Sequence, residues 1–224
     1  MYGSGPQPGT EAQQTAGCAA SAAPLDLRRI RLVLGNRIVG NLASDAPGIY
    51  LSDVEGRYEI SNNYIADHHG WGSGAVEVYG DDILIVDNII ENNSAIGEWG
   101  HEFGGGIRLD GGNFKILNNT ISNNTCSFYG GGIALAGAAS VELVGNIFEG
   151  NSAKYGGAFA ITNTIEHEIV MYSNQFLRNQ ADAFGGVVYI PYKCAVVDSK
   201  GNQIRAGDTA NYYSMNTPDD VFGK

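Results

Sequence analysis

Polar and apolar positions along this chain repeat with two nested periods. Over short stretches apolar residues alternate with polar ones, the pattern of a strand with one face buried. The pairs Tyr58/Ile60, Ile83/Ile85, Phe114/Ile116, Val141/Leu143 and Ile169/Met171 show it, as do Ile49/Leu51, Val76/Val78, Ile107/Leu109, Ile133/Leu135, Phe159/Ile161 and Val188/Ile190. Over longer distances a unit Asn-x-(Ile/Phe)-x-x-Asn returns. It reads Asn36-Arg-Ile38-Val-Gly-Asn41, and begins again at Asn63, Asn88, Asn119, Asn146, Asn174 and Asn202. The shortest interval is 25 residues, Asn63 to Asn88, and the longest 31, Asn88 to Asn119. Three short strands separated by turns fill each interval. This predicts an all-β solenoid over residues 25–207, a parallel β-helix of about seven coils. The alternation and the glycine content exclude a helical repeat, and leucine is too sparse for a leucine-rich one.

The recurrent Asn has a physical reason. Coils stack at strand spacing, about 4.8 Å, so like residues lie over like. An amide carries an acceptor and two donors, so stacked Asn side chains can bond to one another and to turn backbone. Asn also tolerates the left-handed conformation that a sharp bend needs. His68 stands where its unit should end in Asn, and its plain reading is an imidazole that hydrogen-bonds in the amide's place. The end coils are atypical, with Arg31, Ser199 and Gly207 at apolar positions, as solvent-facing terminal repeats often are. Residues 1–24, rich in Gly, Ala, Gln, Ser and Thr, are expected to form a disordered leader or linker. Residues 208–224 are expected to cover the C-terminal edge.

These repeats resemble the right-handed parallel β-helix of the pectate-lyase-like superfamily, whose coils carry an Asn ladder at one turn. The segment Phe148-Glu-Gly-Asn151…Gly156-Gly157-Ala158 is also similar to the FxxN and GGA repeats of chlamydial polymorphic outer-membrane proteins, as are Gly104-Gly105-Gly106, Gly130-Gly131-Gly132 and Gly185-Gly186. The resemblance implies the fold strongly and the function weakly, because the fold hosts lyases, epimerases, hydrolases and adhesins alike.

Charge narrows the partners. The chain is 43% hydrophobic, with 32 Gly, a formal charge of −11 and an isoelectric point of about 4.6. Such a surface repels phosphate backbones, so nucleic acid is not an expected ligand. It also disfavours polyanionic sugars unless Ca²⁺ bridges the two. No run of apolar residues is long enough for a membrane span. Three cysteines (Cys18, Cys126 and Cys194) without a CxxC spacing indicate neither a disulfide framework nor a structural zinc site.

Candidate chemistry gathers in the first three coils. Within the resemblance, substrates of β-helix enzymes lie along the strand that contains Ile107-Arg108-Leu109-Asp110. Its outward positions are Tyr50, Glu77, Tyr79, Arg108 and Asp110 in the early coils, and Ala134 and Ala160 in the later ones. Flanking loops add His69, Trp71, Trp99 and His101. A glycan-binding set would be Tyr50, His69, Trp71, Glu77 and Trp99, since exposed tryptophans stack on sugar rings or partner surfaces. Asp81, Asp82 and Asp110 could hold Ca²⁺ through hard oxygen ligands, or could simply be turn residues. Glu77 and Arg108 would be cross-strand neighbours, and such a pair is often only a surface salt bridge worth less than about 1 kcal/mol. Phe103, Tyr129, Tyr155 and Phe184, each just before a Gly pair, read as a packed aromatic ladder.

Three functions fit. The first is an extracellular or cell-surface module, adhesin-like, binding a polysaccharide, a surface glycan or a partner. The second is a Ca²⁺-dependent lyase or epimerase on a uronate polymer, with Tyr79 as acid, Arg108 or His101 as base, and Ca²⁺ or Arg108 neutralising the substrate carboxylate. The third is a structural segment of a filament, self-associating end to end or side by side.

Overall fold

The computed structural model describes residues 30–138, 140–163, 169–190, 196–197 and 212–217. The alternating segments form parallel strands that stack coil on coil, and the described residues contain no helix. An 11-stranded sheet carries the strands either side of one bend. In two early coils these run through as single strands, Ile49–Ser61 and Val76–Val86. Later they divide, as in Ile107–Asp110 and Asn113–Leu117. A seven-stranded sheet follows, from Arg37–Val39 to Tyr212–Ser214. The third sheet has five short strands, from His69–Gly70 to Gln180–Phe184, and was not expected from the alternation. The seven rungs of the second sheet bound a solenoid of about six turns.

The interior is built from like residues in register. Val78, Leu109, Leu135 and Ile161 form one column, Ile85, Ile116, Leu143 and Met171 another, and all are buried. Ile65, Ile90, Ile121, Phe148 and Phe176 form a third, which ends in two rings stacked 5.0 Å apart. Each strand buries one face in this interior and turns the other outward, as the alternating burial along Asn113–Leu117 shows. In the first coil Arg31 takes an apolar position. It lies over the Tyr58 ring, 5.2 Å from the centroid, and donates to its hydroxyl.

Two Asn ladders, not one, hold the turns. In the first, each Asn backbone N–H donates to the side-chain oxygen of the Asn in the next coil, at 2.9 Å for Asn36, Asn63, Asn88, Asn119 and Asn146. Each Nδ2 in turn donates to the next Oδ1, as from Asn119 to Asn146 at 3.0 Å. The second runs Asn93, Asn124, Asn151, Asn179 and Asn216 with the same bonds. The ladder residues do not take the left-handed conformation themselves. The residue before each one does, as at Asn62, Asp87, Asn118 and Ser173, and at Asp67, Asn92, Asn123 and Arg178. The ladder amide is therefore free to serve as a connector while its neighbour makes the bend.

Two further features correct the sequence reading. The strand paired with Gln175–Leu177 is Tyr212–Ser214, and Asn216 accepts from Asn179 N–H at 2.8 Å. Residues 212–216 thus supply a rung within the stretch expected to be an edge cover, whereas Asn202 lies outside the described residues, as do residues 1–24, Cys18 and Cys194. The Gly pairs also have a steric reason. A Cβ on Gly131 would lie 2.4 Å from the Gly157 carbonyl oxygen and 2.5 Å from the Ser152 backbone. Only glycine lets successive coils approach so closely there.

Candidate functional site

A broken ladder creates the site. Phe103, Tyr129, Tyr155 and Phe184 stack with centroids 5.6, 5.4 and 6.2 Å apart, as expected of a packed strip. Tyr189 joins it from the sheet, 4.9 Å from Tyr155. Ala134 and Ala160, at outward positions of the same sheet, are fully buried. The later coils are therefore closed on this face. The position equivalent to Phe103 in the preceding coil is Ser73, which bridges to it in the parallel register. Where the aromatics stop, a cleft of about 300 Å³ opens, lined by Asp45, Tyr50, Glu77, Tyr79 and Arg108.

Glu77 is the hub of that cleft. Sequence placed it on the outer surface, but it is only 2% exposed. Its carboxylate accepts from the Tyr79 hydroxyl and from Ser73 Oγ, and pairs with Arg108 at 3.1 Å. Ser73 Oγ in turn accepts from Ala46 N–H at 2.9 Å, which anchors the turn that carries Asp45. Three donors around one buried carboxylate compensate its lost hydration. Arg108 is further held over the rings of Phe103 and Tyr79, 4.8 and 5.5 Å from their centroids. Burial, then the bond to Glu77, raises the Tyr79 hydroxyl well above the usual range, so this phenol keeps its proton. Tyr50 is exposed and meets Tyr79 edge to face at 6.2 Å.

Beside the cleft lies an apolar groove, lined by Ser44, Trp71, Ile96, Gly97, Glu98 and Trp99. Trp99 is 85% exposed and Trp71 56%. Both sit on braced backbone. Trp71 N–H donates to Ser44 O at 2.9 Å, and Trp99 N–H to the buried Glu102 carboxylate at 3.0 Å. A Cβ on Gly100 of the same loop would lie 3.3 Å from the Phe128 ring. The groove and the cleft share a wall, because Ser44 lines one and Asp45 the other.

The remaining candidates are placed elsewhere. His101 is exposed and does not line the cleft, so it is not brought to Tyr79 and Arg108. His69 is exposed, with Nδ1 2.7 Å from Ser94 Oγ. Asp81 and Asp82 are exposed on the strand beyond the bend, while Asp110 is half-buried in register with Tyr79. Among the described residues no three such side chains converge as a metal cage would, so the expected Ca²⁺ cluster is not assembled. Asp81 and Asp82 lie within the strand Val76–Val86, and Asp110 is the last residue of Ile107–Asp110. Asp45, Ser73, Ile96 and Glu102 escaped sequence reading. Ser73 left a signal, a small polar residue where four other coils have an aromatic before glycine.

His68 behaves as a substitute amide. Its Nδ1 accepts from Asn41 N–H at 3.1 Å, its Nε2 lies 3.1 Å from Ile38 O, and its own N–H donates to Asn93 Oδ1 at 3.0 Å. These are the bonds an Asn makes in the coils above it, and they require the neutral ring with its proton on Nε2. Burial lowers its pKa. Cys126 is likewise structural, a buried thiol that desolvation pushes up to about 12.

Comparison with known proteins bears on the fold alone. No curated protein and no solved structure matches the chain. Residues 26–217 match the family described as the right-handed β-helix region, which fixes the hand of the solenoid. This chain belongs to the right-handed β-helix family.

Proposed function

We propose that this protein is a non-catalytic β-helix module, adhesin-like in role, that binds carbohydrate outside the cell or at its surface. The observation that carries the reading is the groove between Trp71 and Trp99. Two exposed indoles on backbone fixed by hydrogen bonds offer flat apolar faces with little ordering cost on binding. Pyranose rings present matching C–H faces, and Ser44 and Glu98 stand ready for their hydroxyls. The test is a glycan array followed by pull-down on insoluble polysaccharides, using the wild type, Trp71→Ala and Trp99→Ala. Binding that both variants lose while keeping their melting temperature is expected. Absence of wild-type binding to every glycan would refute it.

The Tyr79–Glu77–Arg108 cluster favours a second reading, a uronate lyase or epimerase, because it joins a phenol and a guanidinium in one cleft. Three features weigh against it. The Arg108 charge is already met by Glu77, Tyr79 holds its proton tightly, and the three aspartates proposed for Ca²⁺ do not converge. Incubation with uronate polymers, with and without Ca²⁺, should yield no unsaturated product by ultraviolet absorbance.

A further inference from the structure

We propose that the Trp71–Trp99 groove and the Tyr50–Tyr79 cleft are two subsites of one track, which takes a neutral oligosaccharide lying across the Ser44–Asp45 turn. The inference rests on the carbohydrate-binding reading above and adds both the extent of the site and the charge class of its ligand. Adjacency carries the first part. Ser44 lines the groove and Asp45 the cleft, and consecutive Cα atoms are only about 3.8 Å apart. The turn is fixed on both sides. Ser44 O accepts from the N–H groups of Trp71 and Gly72 at 2.9 Å, and Ala46 N–H donates to Ser73 Oγ.

Charge carries the second part. The ionic side chains that line the two depressions are Asp45, Glu77, Glu98 and Arg108. Arg108 and Glu77 neutralise each other at 3.1 Å, which leaves two carboxylates facing the ligand on a chain of net charge −11. A uronate would meet repulsion there, whereas sugar hydroxyls donate well to carboxylates. The two subsites then divide the work. The indoles take the apolar ring face, and Asp45 with the tyrosine hydroxyls takes the polar rim of the next sugar.

Calorimetric titration with neutral oligosaccharides from mono- to hexasaccharide, and with oligouronates of matched length, tests this. Affinity for the neutral series should rise about tenfold, or 1.4 kcal/mol, once the chain reaches both subsites. Tyr50→Ala and Asp45→Ala should abolish that rise while leaving the shortest ligands bound as before. Oligouronates should bind at least about tenfold more weakly. A flat length dependence, unaltered by Tyr50→Ala while Trp99→Ala still abolishes binding, would overturn the two-subsite track and leave the glycan reading standing. Equal affinity for oligouronates would overturn the neutral class. No binding to any member of either series would overturn both readings.

Discussion

Replacing Asn119 by alanine tests what holds the coils together. Asn119 is 1% exposed and sits mid-ladder. Its Oδ1 accepts from Asn88 N–H and from Asn88 Nδ2, both at 2.9 Å. Its Nδ2 donates to Ile85 O, Leu117 O and Asn146 Oδ1 at 2.9 to 3.0 Å. Alanine deletes all five bonds. The Asn88 Nδ2 donor keeps Ile60 O and Val86 O, but the buried Asn88 N–H is orphaned. An unpaired buried donor costs roughly 1–3 kcal/mol, and each further lost bond about 1 kcal/mol net. Removing the amide also removes its own desolvation cost, which offsets part of this, so a loss of about 3–5 kcal/mol is expected. Urea unfolding followed by far-ultraviolet circular dichroism should show a lower midpoint at unchanged slope. Asn113→Ala, exposed, is the control and should change stability by under about 0.5 kcal/mol. Asn119→Asp keeps the acceptor but sets a carboxylate against three oxygens. It should be worse than alanine at neutral pH and recover on acidification. A loss at Asn119→Ala below about 1 kcal/mol, or equal to that of the control, would refute the ladder argument.

The other predictions are briefer. His68 must be neutral to accept from Asn41, and burial lowers its folded pKa, so the unfolded chain binds its proton first. Stability is then complete above about pH 6.5 and declines as pH falls from there towards the folded pKa; His68→Asn should flatten that part of the melting temperature profile, and an unchanged slope would discount the residue. Gly131→Ala should destabilise by several kcal/mol in the same urea assay, because the new Cβ meets backbone rather than a movable side chain; an unchanged midpoint would show that the coils can spread. Tyr79→Phe removes one of the Glu77 donors and should cost about 1 kcal/mol by thermal melting, with Arg108 and Ser73 still in place. Trp99→Ala should leave the melting temperature within error, since the side chain is 85% exposed, and a large drop would make Trp99 a packing residue.

Most of the architecture was legible in the chain alone. Alternation at Val76/Val78 or Ile107/Leu109 specifies the buried face, because the side-chain period of a strand is two. The recurrent Asn specifies the coil, because stacked coils place equivalent turns over one another. The last rung was less legible, because Asn202 to Gly207 and Asn211 to Asn216 each match the unit only in part. Only pairing with Gln175–Leu177 distinguishes them. The strands of the third sheet were hidden because they are only two to five residues long, too few to show a period.

The site was legible in its residue types and not in its shape. Sequence by itself determined that Tyr50, Glu77, Tyr79 and Arg108 share one face, since register follows from the repeat. It also placed both tryptophans on loops beside that face. The tertiary structure decided that Glu77 is buried under three donors, that the cleft opens where the aromatic strip ends at Phe103, and that Asp45 joins it from a turn one coil away. It also decided that Asp81, Asp82 and Asp110 form no group able to hold a metal ion and that His101 stands outside the cleft. The physical reason is common to all of these. A repeat dictates which residues stack along the solenoid axis, whereas burial and convergence depend on how loops of unequal length fold over the sheet, and a one-dimensional period carries no record of that.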